Sequence, residues 1–154
     1  MSTIDKSEKL TGLIDGVHFI LSNKVKVNIA PAMFAGIVYE IILNKQIIPK
    51  NADLPSFINE NFIYTFNKTN ENNIDYFKEY VFKSRTAVAA RISRLIIEKF
   101  STEDIRITSE WLIPYIKEIR MSSSNNTARA DLRMNQNKRV AKDLNNELVS
   151  WIKR

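Results

Sequence analysis

Arginine is the side chain here best suited to anion chemistry, and its placement is uneven: none of the nine arginines precedes position 85. Three fall within "KSRTAVAARISRLIIEKF", residues 83–100. Arg91 and Arg94 are three apart, so on a helix they share one face and can act together. Each offers a planar fork suited to phosphate or carboxylate, where lysine offers only a point charge. Small Ala87 and Ala90 beside them would let a ligand backbone come close. The competing reading is structural. Glu98 lies four residues after Arg94 and can pair with it along the helix, and Arg91 can bridge to Glu40 or Asp75. Arg85 lies near the apolar arc, where partial burial, snorkelling or a carboxylate partner is expected.

Other chemistry is sparse. The chain has no cysteine and a single histidine, His18, set among apolar Val17, Phe19 and Ile20 and read as a core-edge residue. That leaves no disulfide, no thiolate nucleophile and no ordinary zinc site. No P-loop, GxGxxG or nucleophile-elbow pattern occurs. Glu103 with Asp104, and Asp143 with Glu147, are carboxylate pairs, but Arg139 and Lys142 beside the latter favour solvated ion pairing over magnesium. The expectation is a non-enzyme with no catalytic residue, no metal ligand and no cofactor. Aromatic residues cluster from Phe62 to Phe82. They could stack on bases, but cations are few there and core packing is the better account.

The elements that would position these residues read as helices. Leu10, Leu13, Ile14, Val17 and Leu21 follow helical spacing within residues 4–22. "PAMFAGIVYEIILNK", from Pro31, is apolar nearly all round and reads as the central buried helix. Ala32, Ala35 and Gly36 would admit a close neighbour. Residues 56–62 form a short helix. Ile63 to Phe66, followed by the polar turn 67–73, allow a small β-hairpin near residues 62–76. Helical spacing resumes from Ile74 to Phe100, as one helix or as two broken near Ser84. A further helix starts at Thr108 or Ser109, with Pro114 giving a kink or a late start. A helix-turn-helix over 84–120 is disfavoured by the long connector "STEDIRITS" and by its acids. The predicted fold is therefore all-α, with a helical core over residues 1–120, a polar linker at 121–127 and a basic amphipathic helix at 128–154.

Charge separates these parts. Residues 1–119 hold 15 basic and 14 acidic side chains, whereas residues 120–154 hold 8 and 3. Such asymmetry points to an anionic partner. On the last helix Lys138, Arg139, Lys142 and Lys153 share a face, and Arg129 and Arg133 precede them. Met134, Ala141, Leu144, Leu148 and Trp151 form an apolar seam. The leading expectation is a nucleic-acid-binding protein of limited sequence specificity that uses this segment together with Arg91 and Arg94. The alternative is a helical interaction subunit or homo-oligomer that docks through the seam. The N-terminus lacks signal-peptide character, and the longest apolar run, interrupted by Glu40, is too short to span a bilayer. A cytoplasmic location is expected. Ile, Asn and Lys supply 51 of 154 residues, a bias typical of AT-rich coding sequence and suggestive of a phage or other mobile element.

Overall fold

In the computed structural model, which describes residues 6–122, the apolar periodicities fold as helices, with no strand among the described residues. Helix α1 spans Lys6–Leu21 and buries Leu10, Leu13, Ile14, Val17 and Ile20. His18 and Phe19 point to solvent, so His18 is an exposed residue and not a core-edge one. The helix packs on α2, Ala30–Leu43. At Gly16 an added Cβ would lie 2.9 Å from Ile37 Cδ1, so glycine there lets the two helices approach.

Helix α2 has Pro31 in its first turn, where a missing N–H costs nothing. Its buried face, including Phe34, Val38 and Ile41, makes its most extensive contact with α4, Arg85–Lys99. Small Ala35 and Ala89 are both buried, and Ser93 Oγ donates to the Ala35 carbonyl at 3.3 Å. The expectation that α2 is buried all round is corrected: Ala32, Met33, Gly36, Tyr39 and Leu43 are on its outer side and exposed.

The α2–α4 junction is tied by Arg85. Its Nη1 donates to the carbonyls of Ile42 at 3.1 Å and Ile48 at 2.6 Å, and its Nε donates to Asn51 Oδ1 at 3.1 Å. The partners are backbone and amide oxygens, not the carboxylate that was one sequence expectation. Ile42 lies in the last turn of α2, whose carbonyls lack intrahelical donors and favour a cation. The break expected near Ser84 is present, with Ser84 Oγ accepting from Ala87 N at 3.2 Å to cap α4.

No hairpin forms over residues 62–76. Ser56–Ile63 is π-helical and runs directly into α3, Tyr64–Thr69. Residues 73–78 form neither helix nor strand, and Glu79–Lys83 is a 3₁₀ turn, so the helical spacing from Ile74 becomes regular helix only at Arg85. This irregular stretch is held by asparagine side chains. Asn67 donates to the Ile74 carbonyl at 2.9 Å and accepts from its N–H at 2.7 Å. Asn59 does the same with Phe77, at 3.0 and 2.9 Å. Each amide reproduces the two-way pairing that a neighbouring strand would supply. The β-leaning rings serve the core instead: Phe62 packs edge-on to Trp111, with centroids 5.3 Å apart, and Phe66 stacks on Phe100 at 5.2 Å.

Helix α5 begins at residue 102, well before the expected Thr108 or Ser109, and remains helical through Pro114 to residue 122. Its start is a reciprocal cap. Asp104 Oδ2 accepts from Ser101 N and Oγ, both at 2.9 Å, while Asp104 N donates to Ser101 Oγ at 3.2 Å. Thr108 and Ser109 are buried inside the helix. Only Phe100 and Ser101 join α4 to α5, so the supposed connector is helix. The first compact unit of the chain ends at Arg120. Residues 121 and 122 of the predicted linker are helical, and the rest of it lies outside the described residues.

Two stability outcomes follow from these bonds. Arg85→Ala strands the carbonyls of Ile42 and Ile48, and its expected cost in denaturant unfolding is about 2–3 kcal/mol. Arg85→Lys should recover only part of this, because an ammonium lacks the fork that reaches three acceptors. Asn67→Asp keeps the acceptor for Ile74 N–H but loses the donor to its carbonyl. Its cost should be about 1–2 kcal/mol at neutral pH and shrink below about pH 4, where a protonated carboxyl regains a donor. Urea melts at both pH values check this, and a pH-independent cost would contradict the two-way pairing.

Candidate nucleic-acid interface

The outer face of α4 carries Arg91 and Arg94 because Val88, Ala89, Ile92 and Ile96 occupy the inner one. Both arginines are exposed. Arg94 Nε donates to Glu98 Oε1 at 2.8 Å, the pairing the spacing allows. The hydrogen bond to Glu98, then that carboxylate's charge, raise the Arg94 pKa further above its ordinary value. Arg91 has no ion-pair partner among the described residues, so neither Glu40 nor Asp75 takes it.

The remaining described arginines are committed elsewhere. Arg106 is held on α5 by Glu103 and Glu110. Its hydrogen bond to Glu103 and the two carboxylates raise its pKa, while the Arg106 bond lowers that of Glu103. Arg120 Nη1 lies 3.4 Å from Thr11 Oγ1, to which it donates. Arg85 is the structural tie already described. Of the two sequence-selected arginines on the core, Arg91 alone presents an unpaired guanidinium to a ligand. Surface pairs such as Arg94–Glu98 are worth little in water, so Arg94 remains recruitable.

A cationic cleft was not foreseen. Lys6 and Lys9, one turn apart on α1, meet Lys45 just past the end of α2. With Leu43, Asn44 and Gln46 they line a cleft of about 300 Å³ with no carboxylate among its described lining residues. The pair Lys6–Lys9 is visible in the sequence as a helix-face spacing, but Lys45 joins it only through the packing of α1 on α2. Three ammonium groups can hold phosphate oxygens by charge and hydrogen bonds, without selecting a base.

Residues Arg129, Arg133, Lys138, Arg139, Lys142 and Lys153, and the seam residues Met134, Ala141, Leu144, Leu148 and Trp151, lie outside the described residues. Among the described residues no cluster of three or more His, Asp or Glu side chains could hold a metal ion, and no helix is long and apolar enough to cross a membrane. Comparison with protein-family models, with curated proteins and with solved structures gives no match.

Glu98→Gln releases Arg94 without touching the core. Affinity for duplex DNA at low salt is expected to rise severalfold in this variant, and Arg94→Gln should lower it by a similar factor. Fluorescence anisotropy reads both. Equal affinities across wild type and the two variants would remove α4 from the interface.

Proposed function

We propose that this chain is a non-enzymatic, nucleic-acid-associated protein acting in the cytoplasm, and that its affinity comes mainly from residues after Arg120. The observation that carries this reading is the charge division: 8 basic against 3 acidic side chains in residues 120–154, beside a nearly neutral remainder. Clustered lysine and arginine release condensed counterions when they neutralise phosphates, which supplies affinity independent of sequence. Arg91, Arg94 and the Lys6–Lys9–Lys45 cleft add phosphate contacts from the core. No base-reading motif accompanies them, so sequence preference is weak. The Ile, Asn and Lys bias agrees with a phage or other mobile-element source.

A second reading is supported by the seam Met134, Ala141, Leu144, Leu148 and Trp151: the same segment docks on a protein partner as part of a larger complex. The two are separable in the full-length chain. Replacing Arg129, Arg133, Lys138, Arg139 and Lys142 together with Gln leaves the seam intact and removes most of the charge. On the nucleic-acid reading, wild type binds duplex or single-stranded DNA or RNA with log K falling against log salt by about 4–5. The Gln variant should lose most of that slope and at least tenfold in affinity. Absence of binding at low salt, or an unchanged slope in the variant, overturns the reading.

A further inference from the structure

Helix α2 is nearly all apolar yet has two faces. The inner one, Phe34 to Ile42, is fully used by the core. The outer one exposes Ile29, just before the first turn, at 45%, and Met33, Tyr39 and Leu43 each at 36%. These positions, with Ala32, Gly36 and Glu40, form a single helical stripe spaced three and four residues apart. Beside it, Phe19 of α1 is 48% exposed, and a groove of about 460 Å³ runs along Gly16, Met33, Gly36 and Ile37.

Gly36 marks the centre of the stripe. Glycine inside a helix costs about 1 kcal/mol relative to alanine. Gly16 has an internal reason, the approach of Ile37. Gly36 has none among the described residues, because a Cβ there would meet none of them within 4 Å. A bare backbone facing outward in an apolar stripe suits a close approach from outside the fold.

From these features we infer that α2 is a self-association surface, on which a second copy of the chain packs its own α2 antiparallel about Gly36. The stripe is self-complementary in that register. Counting outward from Gly36, Ile29 falls opposite Leu43 of the second copy, Met33 opposite Tyr39, and Ala32 opposite Glu40. Bulky apolar groups meet one another, and the carboxylate meets a methyl group at the rim. The two Glu40 side chains are then separated by eight residues of rise, about 12 Å. A parallel pair would instead set Glu40 against Glu40. A nucleic acid does not suit this face, whose stripe carries no cation and one carboxylate. Tyr39 of the second copy lies alongside Met33, on the groove rimmed by Phe19. Such a pair is isologous and closes as a dimer. The stripe is about 21 Å long and one helix wide, so with Phe19 it covers far less than the roughly 800 Å² per partner of a standard interface. The dimer is therefore weak and concentration-dependent.

The inference is independent of the nucleic-acid reading and of the seam after Met134. Sedimentation equilibrium on the full-length protein, without nucleic acid and from about 5 µM to about 1 mM, tests it. Wild type is expected to dimerise within that range. Gly36→Gln adds a helix-favouring side chain in open space, so it should fold at least as stably while raising the dimer dissociation constant at least tenfold. Ala32→Lys should lower that constant severalfold by meeting Glu40 of the second copy, and Ala32→Glu should raise it. Because the chain has no cysteine, Gly36→Cys provides a unique thiol that should give a disulfide-linked dimer on mild oxidation, whereas Ala90→Cys on exposed α4 should not. A wild type that stays monomeric throughout, or self-association unaffected by Gly36→Gln, overturns the inference. Equal responses to Ala32→Lys and Ala32→Glu overturn the antiparallel register.

Discussion

The tie between Arg85 and the end of α2 is the constraint on which the described fold depends. A helix C-terminus leaves carbonyls without intrahelical donors, and burying them unpaired is costly. Here the chain must also turn at once, because Ile47 and Ile48 re-enter the core at 2% and 1% exposure. Asn44 manages the first step: its carbonyl accepts from Ile47 N and Ile48 N, and its side chain accepts from Gln46 N. The Ile42 and Ile48 carbonyls remain, and one guanidinium answers both while also reaching Asn51. Since Arg85 is the first residue of α4, the bond that closes α2 also fixes where α4 starts. That start sets the register in which Ser93 meets Ala35. The first arginine of the chain is thus explained by backbone geometry, not by a ligand.

The asparagines perform a related task on the other side of the core. A stretch without helical or strand hydrogen bonds exposes its N–H and C=O groups to competition from water. Asn59 and Asn67 present amides to Phe77 and Ile74, and each amide supplies one donor and one acceptor to one residue. Phe77, in a segment that is neither helix nor strand, can then pack on Phe82 of the 3₁₀ turn, with ring centroids 6.2 Å apart. Asparagine richness of compositional origin has here been put to structural use. Aspartate or serine could not offer the same fixed donor and acceptor pair.

These two devices also mark the limit of what the sequence made legible. Periodicity identified α1, α2 and α4 because an apolar arc at 3.6 spacing is a local property. The hairpin expectation fails because β-propensity does not decide the conformation of this ring-rich segment. Its fate is set by tertiary packing against Phe100 and Trp111. The start of α5 was locally legible, since Ser101 and Asp104 have the spacing of a reciprocal cap. The apolar periodicity, clearer farther along, points to a later start. The Arg94–Glu98 pair was readable from a four-residue offset. Arg85's carbonyl partners and the Lys45 contribution to the cationic cleft were not, because each requires contacts across more than 30 residues of chain.

The doubly apolar character of α2 ties these observations together. A helix that served only the core would place mostly polar residues outward, as α4 does with Arg91, Arg94 and Glu98 around a single exposed Ile97. Helix α2 instead keeps an apolar stripe exposed and a glycine at its centre, two unfavourable choices that the packing of the described residues does not explain. Pairing of copies accounts for both and bears on polyanion binding. Two basic segments on one particle convert the second phosphate contact into an intramolecular event, with effective concentrations that reach the millimolar range for short flexible connections. If the proposed dimer and the proposed polyanion binding both hold, they reinforce each other: a polyanion that holds two copies raises their local concentration, and the pairing in turn lengthens residence on the polyanion. On this view the charge resides in the segment after Arg120 while specificity of assembly resides in α2. That separation leaves the core free to be nearly neutral, which is what the residues up to position 119 are.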